Sequence, residues 1–254
     1  DFPAEFTYAH QCSDKAIQFL DKNSRDAFFL VVSYDEPHGP SISPPPFATM
    51  YADYAFPKSP NVDDSLQDKP EHQRVWAGDR LQQDQTGLQI RNQAFFGCNS
   101  FVDQEIGRVI AVVRQQAPDA LIIYTSDHGD FLGDHGLILK GPMHYQSTVR
   151  VPLIWSDPAR PEADRSGRLG SAIDLAPTIL ARAGVGGYWG MQGSDLFAGA
   201  WPGSVLIEDD GNRLSLGFDA PPRVRTLITE RHRLTLYQDQ DWAELYDLIA
   251  DPGE

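Results

Sequence analysis

The chain has 254 residues and a net charge of −15, with 41% hydrophobic and 11% aromatic residues. This length and apolar content predict a packed globular protein with one large domain, or a large and a small one. The acidic charge argues against nucleic acid as a partner, since no basic patch offsets it. No stretch approaches the ~20 consecutive apolar residues that span a bilayer, so we expect no membrane partner.

The cysteines and the first residues of the chain allow two further predictions, one about thiols and one about the length of the polypeptide. Cys12 and Cys98 are far apart in sequence, which predicts two free thiols rather than a metal-binding pair. The chain starts at Asp1 without an initiator Met and without a basic or apolar leader. We therefore expect it to be a piece of a longer polypeptide, and its localisation is undetermined.

Four features are predicted in the first third of the chain. Residues 13–20 have apolar side chains at helical spacing, and residues 27–33 form a continuous apolar run typical of a strand buried on both faces. Residues 37–46 are a proline-rich loop. Residues 51–85 are polar and weakly patterned, which predicts a surface excursion of the kind that often acts as a lid.

The middle of the chain alternates between strand and helix. Asn99 and Ser100 resemble the capping start of a helix, which Pro118 follows at its end. The patterns that follow predict two strands and a helix, at residues 120–126, 149–155 and 174–183. This alternation favours an α/β layer structure.

Beyond Gly184 the pattern changes to short strand-like runs. These runs are at residues 204–208, 223–229, 233–237 and 244–248, and residues 230–232 fit the tight turn of a hairpin. We therefore predict two domains: residues 1–185 as part of a large α/β domain, and residues 186–254 as a small antiparallel subdomain.

Asp127 and His128 directly follow the apolar strand at residues 120–126. Ligands of open α/β sheets bind at the carboxyl ends of strands, where a carboxylate and an imidazole can share a metal ion. The alternative is an Asp that caps the next turn beside a partly exposed His. The strand before the pair and the glycines after it favour a metal site.

Lys140 and His38 are the other candidate site residues. Lys140 lies in an apolar stretch, where an ammonium group that points into a polar cleft could stabilise charge on an anionic substrate. The alternative is a surface Lys with a buried stem. His38 follows the apolar run at residues 27–33 and could donate to an oxyanion or protonate a leaving group. The alternative is a loop His with no chemical role.

Other polar residues near the same loop are better explained by structural roles. We expect His135 and His144 to be structural, and Asp130 and Asp134 to be loop caps rather than ligands. The sequence has neither a glycine-rich phosphate loop nor a GxSxG nucleophile elbow. Nucleotide binding and an α/β-hydrolase mechanism therefore have no support.

Taken together, these segments resemble the sulfatase family of the alkaline-phosphatase-like superfamily. Five segments match in the family's order: Phe28–Pro40, Ser126–Gly136 with Lys140, Arg150–Trp155, Ile173–Ile179 and Glu244–Glu254. The resemblance implies an α/β/α sandwich, here partial, with a small C-terminal antiparallel α+β subdomain. It also implies that Asp127 and His128 bind a divalent metal, Ca or Mn, and that Lys140 and His38 contact the sulfate or phosphate-like group.

The sequence departs from the family at the nucleophile. The family carries a Cys-x-Pro-x-Arg motif whose Cys becomes formylglycine, and neither Cys12 nor Cys98 starts that motif. We expect the formylglycine on a missing amino-terminal segment, and we expect this chain alone to be inactive.

The main hypothesis is therefore a hydrolase of small-molecule sulfate esters. A phosphonate monoester hydrolase or phosphodiesterase is the alternative enzyme, since these esters share tetrahedral anionic geometry. The alternative that is not an enzyme is an inactive remnant that binds a metal. The sequence does not name the natural substrate, and it leaves open a homo-oligomer.

Overall fold

The computed structural model describes residues 3–78, 85–199, 201, 203–211, 218 and 220–254, and of residues 85–91 it describes the backbone. The chain forms two compact units that each combine separate segments. The first unit contains Asp1–Ser59, Asp79–His128 and Val151–Glu162, and the second contains Pro60–Gly78, Gly129–Arg150 and Ala163–Glu254. The predicted boundary at residues 185 and 186 lies inside the second unit, and the division at that point stays a prediction.

Helices and strands are numbered in chain order over the described residues. The helices are α1 Tyr8–Asn23, α2 Glu71–Ala77, α3 Gln85–Gln116, α4 Gln146–Val149 and α5 Leu175–Arg182. The strands are β1 Ile122–Thr125, β2 Leu153–Ser156, β3 Ser204–Asp210, β4 Arg223–Thr229, β5 His232–Tyr237 and β6 Ala243–Asp247.

Helix α1 confirms the predicted helix at residues 13–20 and extends it at both ends. Thr7 precedes the helix, and its hydroxyl accepts a hydrogen bond from the His10 amide at 3.1 Å, which satisfies a donor of the first turn. Ala16 and Leu20 are buried against Val109 of α3. The apolar spacing in the sequence therefore reflects a helix–helix contact in the first unit.

The apolar run at residues 27–33 pairs with no strand among the described residues, so the prediction of a strand buried on both faces is wrong. Phe28 and Leu30 pack against the cluster formed by α1 and α3. Phe29 and Val31, which alternate with them, are 73% and 70% exposed. The run is buried on one side only, because no described layer covers the other side.

Asn99 and Ser100 lie within α3 rather than at its start, so the predicted capping site is wrong. The Asn99 amide donates to the carbonyl of Phe95 one turn earlier, at 2.9 Å. The Ser100 hydroxyl lies 2.8 Å from that of Tyr51. Both polar groups therefore have partners inside a continuous helix, and α3 ends at Gln116, shortly before Pro118 as the sequence predicts.

Strand β1 confirms the predicted strand at residues 120–126 and pairs with β2 in antiparallel register, with Tyr124 opposite Ile154. The prediction of a strand at residues 149–155 is correct only in its last part. Residues 146–149 form the short helix α4 instead, and β2 starts at Leu153.

Helix α5 confirms the predicted helix at residues 174–183. The Asp174 carboxylate accepts from the amides of Ser171 and Ser194, each at 2.8 Å. The bond from Ser171 belongs to a capping box in the short 3₁₀ turn before the helix, and the bond from Ser194 ties that turn to the following loop.

Strands β3 to β6 form one antiparallel sheet in the order β3-β4-β5-β6. The sheet confirms the predicted antiparallel region, and β4 has the predicted bounds. The predicted hairpin turn is also confirmed, because the Thr229 hydroxyl accepts from the amide of His232 at 2.9 Å where β5 begins.

Helix α2 lies within the segment predicted as a surface excursion, and three of its side chains are buried, which corrects that prediction for residues 71–77. Residues 79–84 lie outside the described residues. The Gln73 amide donates to the buried Glu244 carboxylate at 2.9 Å. Tyr237 and Tyr246 donate to the same carboxylate at 2.5 and 2.9 Å. These bonds join α2 to the antiparallel sheet.

The two cysteines agree with their prediction. Cys12 and Cys98 are both free thiols. Among the described residues, no helix combines the length and the apolar character that crossing a membrane requires.

His72 of α2 makes the stability of the protein depend on pH. Its ring is 3% exposed and stacks on Trp242, and burial lowers the pKa of His72 to about 4. The unfolded chain takes up a proton near pH 6.5, whereas the folded chain resists it, so the stabilisation present above pH 6.5 is lost toward pH 4. We expect the free energy of unfolding to fall by about 2 kcal/mol between pH 7 and pH 5 through this residue.

Urea denaturation at both pH values measures this effect. His72→Phe should remove that part of the pH dependence while keeping an aromatic ring in place. His232→Gln, a change at an exposed histidine of β5, should leave it intact. An equal pH dependence in the wild-type protein and in His72→Phe would contradict the assignment.

Candidate functional site

Asp127 and His128 lie two and three residues beyond the end of β1, where the sequence predicts a metal site. Their side chains face each other, with His128 Nε2 3.4 Å from Asp127 Oδ2, and the side chain of His128 is 38% exposed and that of Asp127 83% exposed. A carboxylate and an imidazole thus stand together at the surface of the first unit. This exposure leaves both groups accessible to a ligand.

Local hydrogen bonds hold the pair in place. The His128 amide donates to Asp127 Oδ1 at 2.9 Å, and the Ser126 hydroxyl donates to the His128 carbonyl at 3.0 Å. Desolvation acts to raise the pKa of the Asp127 carboxyl, but the bond from the His128 amide and the nearby imidazole hold it below its usual value. Asp127 is therefore a carboxylate, the form that binds cations, at neutral pH.

Ser126 and Gly129, which flank the pair, are not among the candidate site residues that the sequence predicts. The only sequence signal for Ser126 is its position between a strand and a carboxylate. The Gly129 amide donates to the Thr148 carbonyl at 2.8 Å. A Cβ at Gly129 would lie 2.0 Å from the Ser147 carbonyl oxygen, so only glycine allows this close approach of two backbone segments.

The loop that follows carries Lys140 and is closed by its own backbone. Asp130 Oδ1 accepts from the amides of Leu132 and Leu139 at 2.9 and 3.2 Å, so Asp130 is the loop cap that the sequence predicts. The Phe131 amide donates to the Leu139 carbonyl at 2.9 Å. Lys140 comes directly after this closed loop and is exposed. It belongs to the second unit, whereas Asp127 and His128 belong to the first.

His38 is exposed in the first unit, in a turn between Asp35 and Ser41. Its amide donates to the Asp35 carbonyl at 3.0 Å, and its carbonyl accepts from the Ser41 amide at 3.1 Å. Its Nδ1 lies 3.1 Å from the Gly39 carbonyl oxygen, which favours the tautomer that carries hydrogen on Nδ1. Nε2 is then an acceptor, and protonation would make it a donor.

His135 and His144 are held by the interior of the second unit, in agreement with their predicted structural roles. His135 is 1% exposed, and its ring nitrogens contact an Asp64 carboxylate oxygen at 2.9 Å and the Gly253 carbonyl at 3.0 Å. His144 Nδ1 lies 2.8 Å from the Thr226 hydroxyl. Both rings are buried.

The metal-binding capacity of the pair follows from its donors. A carboxylate oxygen and an imidazole nitrogen together suit Mn²⁺, and the carboxylate alone suits Ca²⁺. In the described part of the chain, no group of three or more His, Cys, Asp or Glu side chains is placed to hold a metal ion. Asp127 and His128 thus fit part of a coordination shell, and the remaining ligands would have to come from outside these residues.

The thiols do not offer an obvious nucleophile. Cys98 is completely buried in α3, and burial raises the pKa of its thiol to about 12. The Cys12 thiol lies on α1 and donates to the Ser33 carbonyl at 3.2 Å. A thiol is nucleophilic as the thiolate, a form that Cys98 does not reach near neutral pH.

The chain is similar to known proteins in sequence and in fold. A family model described as Sulfatase matches residues 2–185. The Escherichia coli (strain K12) protein named "Uncharacterized sulfatase YidJ" is 37% identical over 98% of this chain and 50% of its own length. This chain therefore spans about half the length of that curated relative.

Solved structures share the fold. A protein in complex with its substrate, D-glucosamine-2-N,6-O-disulfate, has a TM-score of 0.78 at 22% identity, over 97% of this chain and 64% of that chain. A phosphonate monoester hydrolase from Silicibacter pomeroyi has a TM-score of 0.79 at 25% identity, over 97% of this chain and 55% of that chain. These likenesses confirm the expected α/β fold of the alkaline-phosphatase-like superfamily.

Gly129→Ala tests the close approach beside His128. A methyl group 2.0 Å from a carbonyl oxygen forces two backbone segments apart, so we expect a loss of more than about 2 kcal/mol in the free energy of unfolding. Gly167→Ala, in the same unit with no atom within 4 Å of the new Cβ, should change stability by less than about 0.5 kcal/mol. Equal unfolding midpoints for the two variants in urea would refute the claim.

Proposed function

Because this chain belongs to the sulfatase family, we propose that it is part of a metal-dependent hydrolase of sulfate esters whose nucleophile lies on a segment outside these 254 residues. The observation that carries the proposal is the exposed Asp127–His128 pair beyond β1, inside the matched range. The pair supplies two donors that suit a divalent cation, and the family supplies the reaction class.

In this proposal Asp127 and His128 hold a divalent metal, Ca or Mn. A bound divalent ion would supply positive charge that lowers the pKa of a nucleophile and neutralises an anionic ester. The chain's own contribution is to keep the carboxylate ionised and both groups oriented. The amide of His128 and the hydroxyl of Ser126 provide that orientation.

His38 is proposed to act on the leaving oxygen. Hydrolysis of a sulfate ester breaks the bond between sulfur and the ester oxygen and transfers the sulfuryl group to water. The departing oxygen then needs a proton, and a His38 imidazolium can donate it from Nε2. The Nδ1 contact with the Gly39 carbonyl supports Nε2 as the nitrogen that gains and donates the proton.

Lys140 is proposed to contact the non-bridging oxygens of the ester. An ammonium group with few degrees of freedom stabilises negative charge better than a mobile one, because less reorganisation is needed. The loop before Lys140 is closed by the Asp130 carboxylate, which accepts from the amides of Leu132 and Leu139. These bonds support a fixed position of the backbone next to Lys140.

The nucleophile is proposed to be a formylglycine on a segment outside this chain. Two facts support this: neither cysteine lies in a Cys-x-Pro-x-Arg motif, and the Cys98 thiol is buried. The chain length, about half that of the curated relative, is consistent with a further segment.

A phosphonate monoester hydrolase is the second candidate. The structural likeness to the Silicibacter pomeroyi enzyme favours it. The proposed roles of His38 and Lys140 serve a phosphonate monoester as well as a sulfate ester, since both are tetrahedral anions. The relative turnover of a sulfate ester and a phosphonate monoester distinguishes the two candidate functions.

The test compares the purified chain with the longer polypeptide that contains it, using an aryl sulfate and an aryl phosphonate monoester. We expect no turnover by the chain alone and faster turnover of the sulfate by the longer polypeptide. Asp127→Asn should lower kcat/KM of the longer polypeptide by roughly 100-fold or more. Asp119→Asn, which changes an exposed carboxylate before the other end of β1, should have no effect.

Each other outcome overturns a stated part of the proposal. Metal-dependent turnover by the chain alone would refute the external nucleophile. A phosphonate rate far above the sulfate rate would select the second candidate. A longer polypeptide that turns over neither ester would identify an inactive metal-binding remnant.

A further inference from the structure

The apolar run at residues 27–33 has the geometry of a β-strand but no neighbouring strand. From Ala27 to Glu36 the side chains alternate strictly between exposed and half-buried, which is the period of two of extended backbone. In the described part of the chain, no backbone amide of residues 27–34 donates a hydrogen bond. Seven residues in this conformation span about 23 Å, so both edges of the run are open over most of that length.

One side of the run is held by contacts within the first unit. The side chains at positions 28, 30 and 32 pack against α1 and α3. Just beyond the run, the Tyr34 hydroxyl lies 3.0 Å from that of Ser13, and the Glu36 carboxylate accepts from the Ala9 amide at 2.8 Å. The run is thus fixed on a layer of helices, in the position that a strand of a sheet occupies.

The composition of the run lacks the devices that keep a free strand from pairing. Residues 27–33 contain no charged residue and no proline, and Phe29 and Val31 are exposed on the side away from the helices. Native proteins protect free strand edges with charges, prolines or bulges, and an open apolar strand without them is an aggregation hazard. The run therefore has the composition of an interior strand, which is paired on both edges and covered on both faces.

The sheet of the first unit is incomplete in the same way. Among the described residues, β1 pairs with β2 alone, so each of these strands keeps one unpaired edge. Ile154 of β2 is also exposed. A two-stranded sheet is marginally stable by itself, and three or more strands are needed for an independent layer. The first unit thus has open strand edges both at β1 and β2 and along residues 27–33.

A second copy of the chain would satisfy these edges only in part. Two copies related by a two-fold axis can pair their runs along one edge each, and the other edge of each run then stays open. Polypeptide outside the 254 residues has no such restriction, and this chain spans about half the length of the curated relative. The other half of such a protein is long enough to supply several strands of this length.

We propose that a β-strand from polypeptide outside these 254 residues pairs with the backbone of residues 27–33, and that apolar side chains of that outside part cover Phe29 and Val31. The partner strand is apolar and free of proline, because each of its residues must supply a donor and an acceptor to the open edge. This pairing rests on the proposed function, in which an outside segment carries the nucleophile. Since the turn with His38 follows the run, the outside strand lies beside a segment that leads to a proposed site residue.

Hydrogen–deuterium exchange of backbone amides, followed by mass spectrometry, tests the pairing in the purified chain and in the longer polypeptide that contains it. The amides of residues 28–33 should exchange rapidly in the chain alone. In the longer polypeptide they should exchange at least about 100-fold more slowly, because they are hydrogen-bonded there. The amides of β4 and β5, which pair with each other within the chain, are the control and should exchange at similar rates in both proteins.

Val31→Pro removes one of the open amides and gives a second test. It should change the thermal unfolding midpoint of the chain by less than about 2 °C, because that amide has no partner there, and lower the midpoint of the longer polypeptide by about 5 °C or more. Ala163→Pro is the matched control, at an exposed loop position whose amide donates to no described backbone group. It should leave both midpoints unchanged.

Three results would overturn the pairing: rapid exchange of residues 28–33 in both proteins, slow exchange in the chain alone, or no effect of Val31→Pro on the longer polypeptide. Slow exchange in a chain that sediments as a dimer would identify a second copy as the partner instead.

The readout is hydrogen bonding, so it does not depend on turnover. If the amides are protected and the longer polypeptide hydrolyses neither ester, the proposed function fails and the pairing stands. If the longer polypeptide hydrolyses the sulfate ester while these amides exchange rapidly, the pairing fails and the proposed function stands.

Discussion

The buried carboxylate of Glu244 is the constraint on which the second unit depends. A carboxylate out of contact with water is costly unless several donors surround it. Gln73, Tyr237 and Tyr246 provide those donors, and Gln73 also accepts from the Tyr145 hydroxyl at 2.7 Å. Segments near residues 73, 145 and 244 are thereby joined, so one charge fixes α2, the loop after the candidate site and the antiparallel sheet together.

The same network supports the proposed function. Tyr145 stacks on His135 with ring centroids 4.0 Å apart, which anchors the loop that leads to Lys140. Tyr237 packs on Trp242, which anchors the segment before β6. Asp127 and His128 belong to the first unit. They are held by local hydrogen bonds between residues 126 and 128, just beyond the end of β1. The chain thus contains two separately supported sets of functional groups.

The sequence predicts correctly those structural features that depend on residues close to one another in the chain. Strand β4 at residues 223–229 and the Asp127–His128 pair follow from alternation and from a strand end, which neighbouring residues determine. The predicted helix start at Asn99 is wrong because the side-chain amide of Asn99 donates to a carbonyl one turn earlier in the same helix. Its preference for capping positions therefore does not decide where the helix begins. The burial of His72 escaped prediction because its partners lie about 170 residues away in the chain, as does the Glu244 carboxylate that holds α2. Long-range burial of polar residues leaves no local pattern.

We propose that Asp127 and His128 are part of a metal site that this chain does not complete. Paramagnetic broadening of amide signals by Mn²⁺ tests it directly in the purified chain. The claim predicts weak binding, with a dissociation constant of about 1 mM or more, broadening centred on His128, and its loss in Asp127→Asn. Micromolar affinity in the chain alone, or broadening that leaves His128 unchanged, would contradict it.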